Sequence, residues 1–368
     1  MYEEMKFALD HELGNSNEWH PISPFPTFLR IIALVSGRIN IGLPLSRDPT
    51  WLTLYTKYPL TIMYSISSLM KYPAILRPLA KHFISLRELD VIRDEITTLL
   101  TPEYEAIISG KSNRNENMVQ WIWDNSEEHE RTISHQSQVQ AMMSIGTVLA
   151  NAAAAAQCLV DVAEHSEMIP LLRGEFERFD SGGYGITKQA ISSLSTMDSF
   201  IKELQRSKPP GAGEFFPPAA CFLFSIFDPN ENNGTVTFER KVIEPFSLLD
   251  GTRLHAGEHI AAPAFHVGWD PEYIENPEVF DGLRFHRLRN YQGGLSASTT
   301  ATGKYHYVSV NETSLHFGYG RNACPGRWFT AIQIKLFLGF LLVRYDVASG
   351  ESLKGDGSGK GGEGEDTV

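Results

Sequence analysis

Apolar residues at the front of the chain recur at helical rather than strand spacing. The stretch from Met1 to about Asn125 therefore reads as mostly helical, with turns around Gly42 to Pro49 and at Pro73. His135 to His165 contains no proline and carries alanine five times running, Ala152 to Ala156. That predicts one long helix of roughly 45 Å at 1.5 Å per residue. A second helix is expected over Met168 to Phe179. A third is expected from Thr187 to Arg206, where Leu194, Met197, Ile201 and Leu204 share one face until Pro209 and Pro210 stop it. From Val236 to Ile260 the pattern shortens to strand-like runs broken at Asp250-Gly251 and Gly257. The chain then reads as irregular to about Leu315. A last helix begins after Cys324 and lines up Phe329, Ile332, Leu336, Phe340 and Val343. The fold class that follows is mainly α with a small β region.

Two segments stand apart. Residues 349–368 are glycine-rich and charged, with too little apolar surface to offset the entropy of ordering, so a disordered tail is expected. Residues 211–234 have no period yet contain the apolar run Cys221 to Phe227. They read as an atypical insertion, of the kind a translated intron or a misplaced exon boundary produces. The remaining 1–348 is expected to form one domain.

Composition narrows the functional classes. Acidic residues outnumber basic ones by 44 to 32, for a formal charge of −12, so the summed field repels phosphate backbones and no nucleic-acid partner is expected. The three cysteines, Cys158, Cys221 and Cys324, have no disulfide-framework spacing, which points to a reducing compartment. The opening residues MYEEMKFALDHELG mix acids and bases, and Leu336 to Val343 is too short to span a bilayer, so no transmembrane segment is expected in this chain.

The most specific passage is Phe317-Gly318-Tyr319-Gly320-Arg321-Asn322-Ala323-Cys324-Pro325-Gly326. Gly318 and Gly320 permit positive φ and hence a tight loop. Pro325 suits a first helical position, which would set Cys324 at a helix N-terminus where a thiolate is favoured. A thiolate fixed in this way suits a haem iron. Gly326 would let the ring come close to the backbone, and Phe317 would pack beneath the sulfur. Taken as an isolated residue, a cysteine before a helix is more often a small buried hydrophobe.

This loop, F-G-x-G-x-x-x-C-P-G, resembles the cysteine-ligand loop of the cytochrome P450 family. The resemblance extends to Glu203-Leu204-Gln205-Arg206, similar to the family's E-x-x-R, and to Pro277 through Phe285, similar to the later segment that supplies a further arginine, here Arg284. It implies a cytochrome P450 fold lacking its N-terminal part and a haem b cofactor held by Cys324. It further implies a buried network of Glu203, Arg206 and Arg284 behind the loop. Arg240 aligns with an arginine that binds a haem propionate, and Asn322 stands where a basic residue is common. Phe317, Gly318 and Gly326 complete the cofactor contacts.

The resemblance implies a monooxygenase that places one atom of O₂ into a small apolar substrate, as in filamentous-fungal secondary metabolism of terpenoid or polyketide type. An NADPH-dependent reductase would supply electrons, with Arg321, Arg327, Lys335 and Arg344 as candidate docking charges. A full-length relative would sit at the endoplasmic reticulum membrane surface. The chain departs from the family on its distal helix, where the acid and alcohol that deliver protons are replaced by Leu149, Ala150 and Asn151. Asn151 is the candidate for positioning water there, against the alternative of a polar residue facing solvent. Two other readings remain open: a truncated product unable to hold haem, and a haem-binding protein without turnover.

Overall fold

The computed structural model describes residues 1–80, 86–111, 117–181, 187–208, 237–290 and 303–350. Both the 211–234 segment, with Cys221, and nearly all of the 349–368 tail lie outside these residues. The described chain gathers into two compact units. One comprises Met1–Ile191 and the residues from Ile332 onward, and the other the residues between Ser192 and Ala331.

The first unit is helical. Its elements are α1 (Tyr2–Leu13), α2 (Pro24–Asn40), α3 (Pro49–Met70), α4 (Leu86–Ile108), α5 (Met118–Asn125), α6 (Ile133–Ser144), α7 (Ala150–Glu164) and α8 (Ile169–Ser181). The start of α3 shows how local chemistry sets a boundary. Asp48 accepts from the backbone N–H groups of Thr50 and Trp51 at 2.8 and 3.0 Å, and Pro49 takes the first helical position, where no N–H is missed. Helices α6 and α7 join through a π turn, Ile145–Leu149, into one helix over Ile133–Glu164, the long helix that the alanine run predicts. Among the described residues it is the one helix long and apolar enough to cross a membrane. Ala152, Ala155, Ala156 and Val162 are nonetheless fully buried, and α7 packs against α2 as a core helix.

The second unit holds α9 (Ser195–Ser207), α10 (Arg284–Asn290) and four short strands, β1 (Thr237–Lys241), β2 (Phe246–Ser247), β3 (Arg253–Leu254) and β4 (His259–Ala262). Strands β1 and β4 pair antiparallel with Arg240 opposite Ile260, and β2 pairs with β3 across the Asp250-Gly251 turn. Cys324 and the first turn of α11 (Arg327–Arg344) belong to this unit. Residues from Ile332 on belong to the first unit, where Phe337 meets Phe28 edge to face at 4.7 Å and Phe340 meets Tyr2 and Phe176 at 4.7 and 4.9 Å.

Several expectations need correction. The stretch Thr187 to Arg206 is not one helix: Leu194 leaves helical geometry at ψ 81° and α9 starts at Ser195. Ser192, Ser193, Ser195 and Thr196 crowd this point, and short hydroxyl side chains compete for backbone groups there. The stretch before Leu315 is not irregular throughout, because α10 forms from FHRLRN, whose basic residues hide any apolar period. The C-terminal helix does not bury a single stripe. Ile334, Leu336, Phe337, Leu338, Phe340, Leu341 and Leu342 are all buried, so the helix is enclosed nearly all round, while Val343 is exposed. Gly339 is part of that enclosure: a Cβ there would lie inside the ring of Phe176.

Candidate functional site

The cysteine loop is closed by its own backbone. The Cys324 N–H donates to the Phe317 carbonyl at 2.7 Å, and the Gly318 N–H donates to Leu315 at 2.8 Å. A short 3₁₀ turn, Gly320–Asn322, fills the space between. Gly318 adopts φ +77°, and a Cβ on it would meet the Asn322 carbonyl oxygen at 3.2 Å, so both the conformation and the space call for glycine. The helix starts at Arg327, with the Gly326 carbonyl accepting from Thr330 at 2.9 Å. Pro325 therefore precedes the cap instead of occupying the first helical position, and Cys324 stands in the turn before the helix. Arg327 donates to the Cys324 carbonyl at 2.6 Å and holds the loop to the first turn of α11.

Cys324 is neither sealed in nor fully exposed. Beside it, a Cβ at Gly326 would have only the Cys324 sulfur nearby, at 3.8 Å, so space is open next to the thiol. Cys158, by contrast, is buried in α7, where loss of solvent and the nearby Asp161 push its thiol well above the ordinary range. Of these two cysteines, only Cys324 is placed to act as a ligand. Phe317 packs edge to face on Tyr307 at 5.2 Å, and Asn322 is exposed. Arg240 lies exposed on β1.

Glu203, Arg206 and Arg284 come together. The Arg206 Nε and Nη2 donate to the two Glu203 carboxylate oxygens at 2.9 and 2.8 Å, and the Arg284 Nε reaches both at 3.1 and 3.2 Å. The Asp281 backbone N–H adds a fourth donor group at 3.0 Å. Glu203 is 0% exposed. The remaining guanidinium donors are met by carbonyls: Gly268 and Pro277 for Arg206, and Glu275, Asn276 and Val279 for Arg284. A buried charge cluster is tolerable only when so fully bonded.

A second buried ion pair has no sequence signature. Asp198, one turn before Lys202 on α9, accepts from Arg289 at 2.8 Å and from the Tyr307 N–H at 2.9 Å. His316, next to Phe317, is held down to about 3 by burial and by the charges of Lys202 and Arg206. An unfolded histidine takes up its proton near pH 6.5 and the folded ring refuses it until about pH 3. Stability is therefore lost as pH falls from 6.5 toward 3, by at most about 1.4 kcal/mol per pH unit. A His316→Gln chain is expected to show a flatter dependence of its urea midpoint between pH 6.5 and 4. An unchanged slope would mean that the ring is already protonated when folded.

Asn151 does not face solvent. It is 2% exposed, and its amide donates to the Gln333 side chain at 2.6 Å and to the Thr147 carbonyl at 3.1 Å. Ser36 donates to the same carbonyl at 2.9 Å and accepts from Gln333 at 3.1 Å. These side chains satisfy a carbonyl in the π turn, which explains why the helix can widen there. Lys335 is also buried, at 3% exposure, so it is not an accessible docking charge, whereas Arg321 and Arg344 are exposed.

The chain is similar in sequence and fold to known proteins. The family model described as Cytochrome P450 matches residues 233–355. The chain is 30% identical over 366 residues to cytochrome P450 monooxygenase ORF5 of Penicillium roqueforti, covering 97% of this chain and 61% of that protein. It is 29% identical over 353 residues to cytochrome P450 monooxygenase BOA4 of Botryotinia fuckeliana, covering 94% of this chain and 65% of that protein. The chain thus spans 61 to 65% of the length of these relatives. Among solved structures, retinoic acid bound cyanobacterial CYP120A1 superposes with a TM-score of 0.62 at 15% identity, covering 92% of this chain and 65% of that one.

Proposed function

We propose that the chain is a member of the cytochrome P450 family and carries the thiolate-ligand part of a haem-dependent monooxygenase, with Cys324 as the residue that would hold haem b. The supporting observation is the loop itself: a cysteine presented half-covered at the end of a backbone-closed turn, with open space beside Gly326. When bound, the haem supplies activation of O₂ and transfer of one oxygen atom.

The chain's own residues have distinct tasks in this reading. Cys324 would hold the iron through its thiolate, and its backbone bond to Phe317 together with Arg327 on its carbonyl fixes the position of the residue. Glu203, Arg206 and Arg284 fix α9 and the 275–284 segment on which the second unit is built. Arg240, if it takes a propionate, acts as a fixed cation on β1. Asn151 holds the π turn through Gln333 and Ser36, and an amide so committed orients groups without exchanging protons. The relatives are named as fungal cytochrome P450 monooxygenases, which supports a monooxygenase reading; a small apolar substrate of fungal secondary metabolism and an NADPH-dependent reductase as electron donor belong to the same proposal.

The test is spectroscopic. Chain produced with haem supplied, then reduced under carbon monoxide, is expected to show the red-shifted Soret band of thiolate ligation. A folded chain that takes up no pigment would remove this reading.

A further inference from the structure

Among the described residues, every charged side chain on α9 except one makes a direct ion pair. Asp198 is committed to Arg289, and Glu203 to Arg206 and Arg284. Lys202 lies between them and is only 4% exposed. Its ammonium donates to the Ser314 hydroxyl at 3.0 Å, and the face of Phe285 lies 5.1 Å away. Neither of these is an anion, and the carboxylate that does act on Lys202, Asp198 one turn back, is already bound to Arg289. A lysine this deeply buried ordinarily has a carboxylate, because an ammonium has three N–H donors and a full charge to satisfy. Here one donor is met by a neutral oxygen.

Lys202 lines a cavity of about 270 Å³ within the second unit, far more than a single water requires. Its wall also carries Arg206, Lys304, Tyr305 and Ser314, and one acid, Glu272. Arg206 is already neutralised by Glu203, which leaves Lys202 and Lys304 against Glu272, a positive balance in a chain whose formal charge is −12. Histidine 316 also lines the cavity and stays neutral beside these cations, so it brings an imidazole able to donate one hydrogen bond without adding charge.

We propose that this cavity is a binding site for a small oxyanion of the carboxylate or phosphate kind, with Lys202 as its buried counter-charge and Lys304 as the cation on its outer wall. The anion would take the N–H directions of Lys202 that Ser314 leaves, forming charge-assisted hydrogen bonds away from bulk water. The site does not depend on the role of Cys324, since no residue of the cysteine loop contributes to it.

Calorimetric titration of the intact chain with inorganic phosphate, and separately with acetate, tests this. Saturable binding of one anion per chain is expected, and the preferred probe tells a phosphoryl source from a carboxylate source. Lys202→Met keeps the length of the side chain and removes its charge, so it is expected to melt no lower than the parent while weakening the anion by at least about tenfold. Lys304→Gln, at an exposed position where folding is not at risk, is expected to weaken it severalfold. Absence of saturable binding of either anion to folded chain, or undiminished binding by both variants, would overturn the proposal.

Discussion

Glu203→Ala is expected to unfold the second unit under conditions where the parent chain is stable. The substitution leaves Arg206 and Arg284 with two buried guanidinium charges and no carboxylate between them. Removing one member of such a cluster typically costs about 3 to 5 kcal/mol. That is comparable to much of the roughly 5 to 15 kcal/mol that holds a domain together. Arg287→Ala breaks another ion pair in the same region, with Asp281, but Arg287 is 60% exposed and a pair in solvent contributes about 1 kcal/mol or less. Chemical denaturation of the two variants side by side should therefore show a large shift for Glu203 and almost none for Arg287. Equal shifts would mean that Glu203 is solvated in solution.

The same cluster shows what was legible from the residues and what was not. Glu203 and Arg206 announce themselves only because a fixed spacing recurs in a known family, and Arg284 because its surrounding segment does. Asp198 and Arg289 form an equally buried pair but lie 91 residues apart in a pattern with no recurring spacing. Tertiary contacts of that kind leave no periodic trace. Lys202 was hidden for the opposite reason: in a helix of alternating charge it looks like any solvated lysine, and only three-dimensional packing reveals that it is covered.

Helix existence was readable wherever apolar spacing or alanine content was strong, as over Ile133–Glu164. The π turn within that helix was not, because it is maintained by side chains from α2 and α11, notably Ser36 and Gln333, that are distant in sequence. For the same reason Asn151 reads as surface polar in one dimension and proves buried in three. The loop around Cys324 was the most legible feature, since its glycines, proline and cysteine each answer a local backbone demand. Even so, the position of the helix start two residues beyond Pro325 was set by the Gly326 cap rather than by the proline.

Cys324→Ser is expected to abolish the thiolate-type spectrum of the reduced, carbon monoxide-bound chain completely while leaving its fold intact. The thiol is only partly covered and the loop's closing bond uses the backbone N–H of residue 324, which serine retains. A serine hydroxyl does not ionise near neutral pH, so it cannot replace the sulfur's charge. Circular dichroism should match the parent, with unfolding free energies differing by less than about 1 kcal/mol, as expected of a substitution outside the core. Cys158→Ser should behave in the reverse manner, keeping the spectrum and losing stability, because it places a hydroxyl in the buried face of α7. A spectrum that survives in the Cys324 variant would place the ligand elsewhere.

The order in which the chain leaves the ribosome gives the division into units a temporal meaning. The first unit is interrupted by the second and is completed only by α11, whose Phe337 and Phe340 cover Phe28, Tyr2 and Phe176. Until those residues emerge, more than three hundred positions after α1, Phe28, Tyr2 and Phe176 lack these ring contacts, and the side of Phe176 that meets Gly339 is uncovered. Nascent chains paused before α11 are thus expected to expose aromatic surface that this helix later covers.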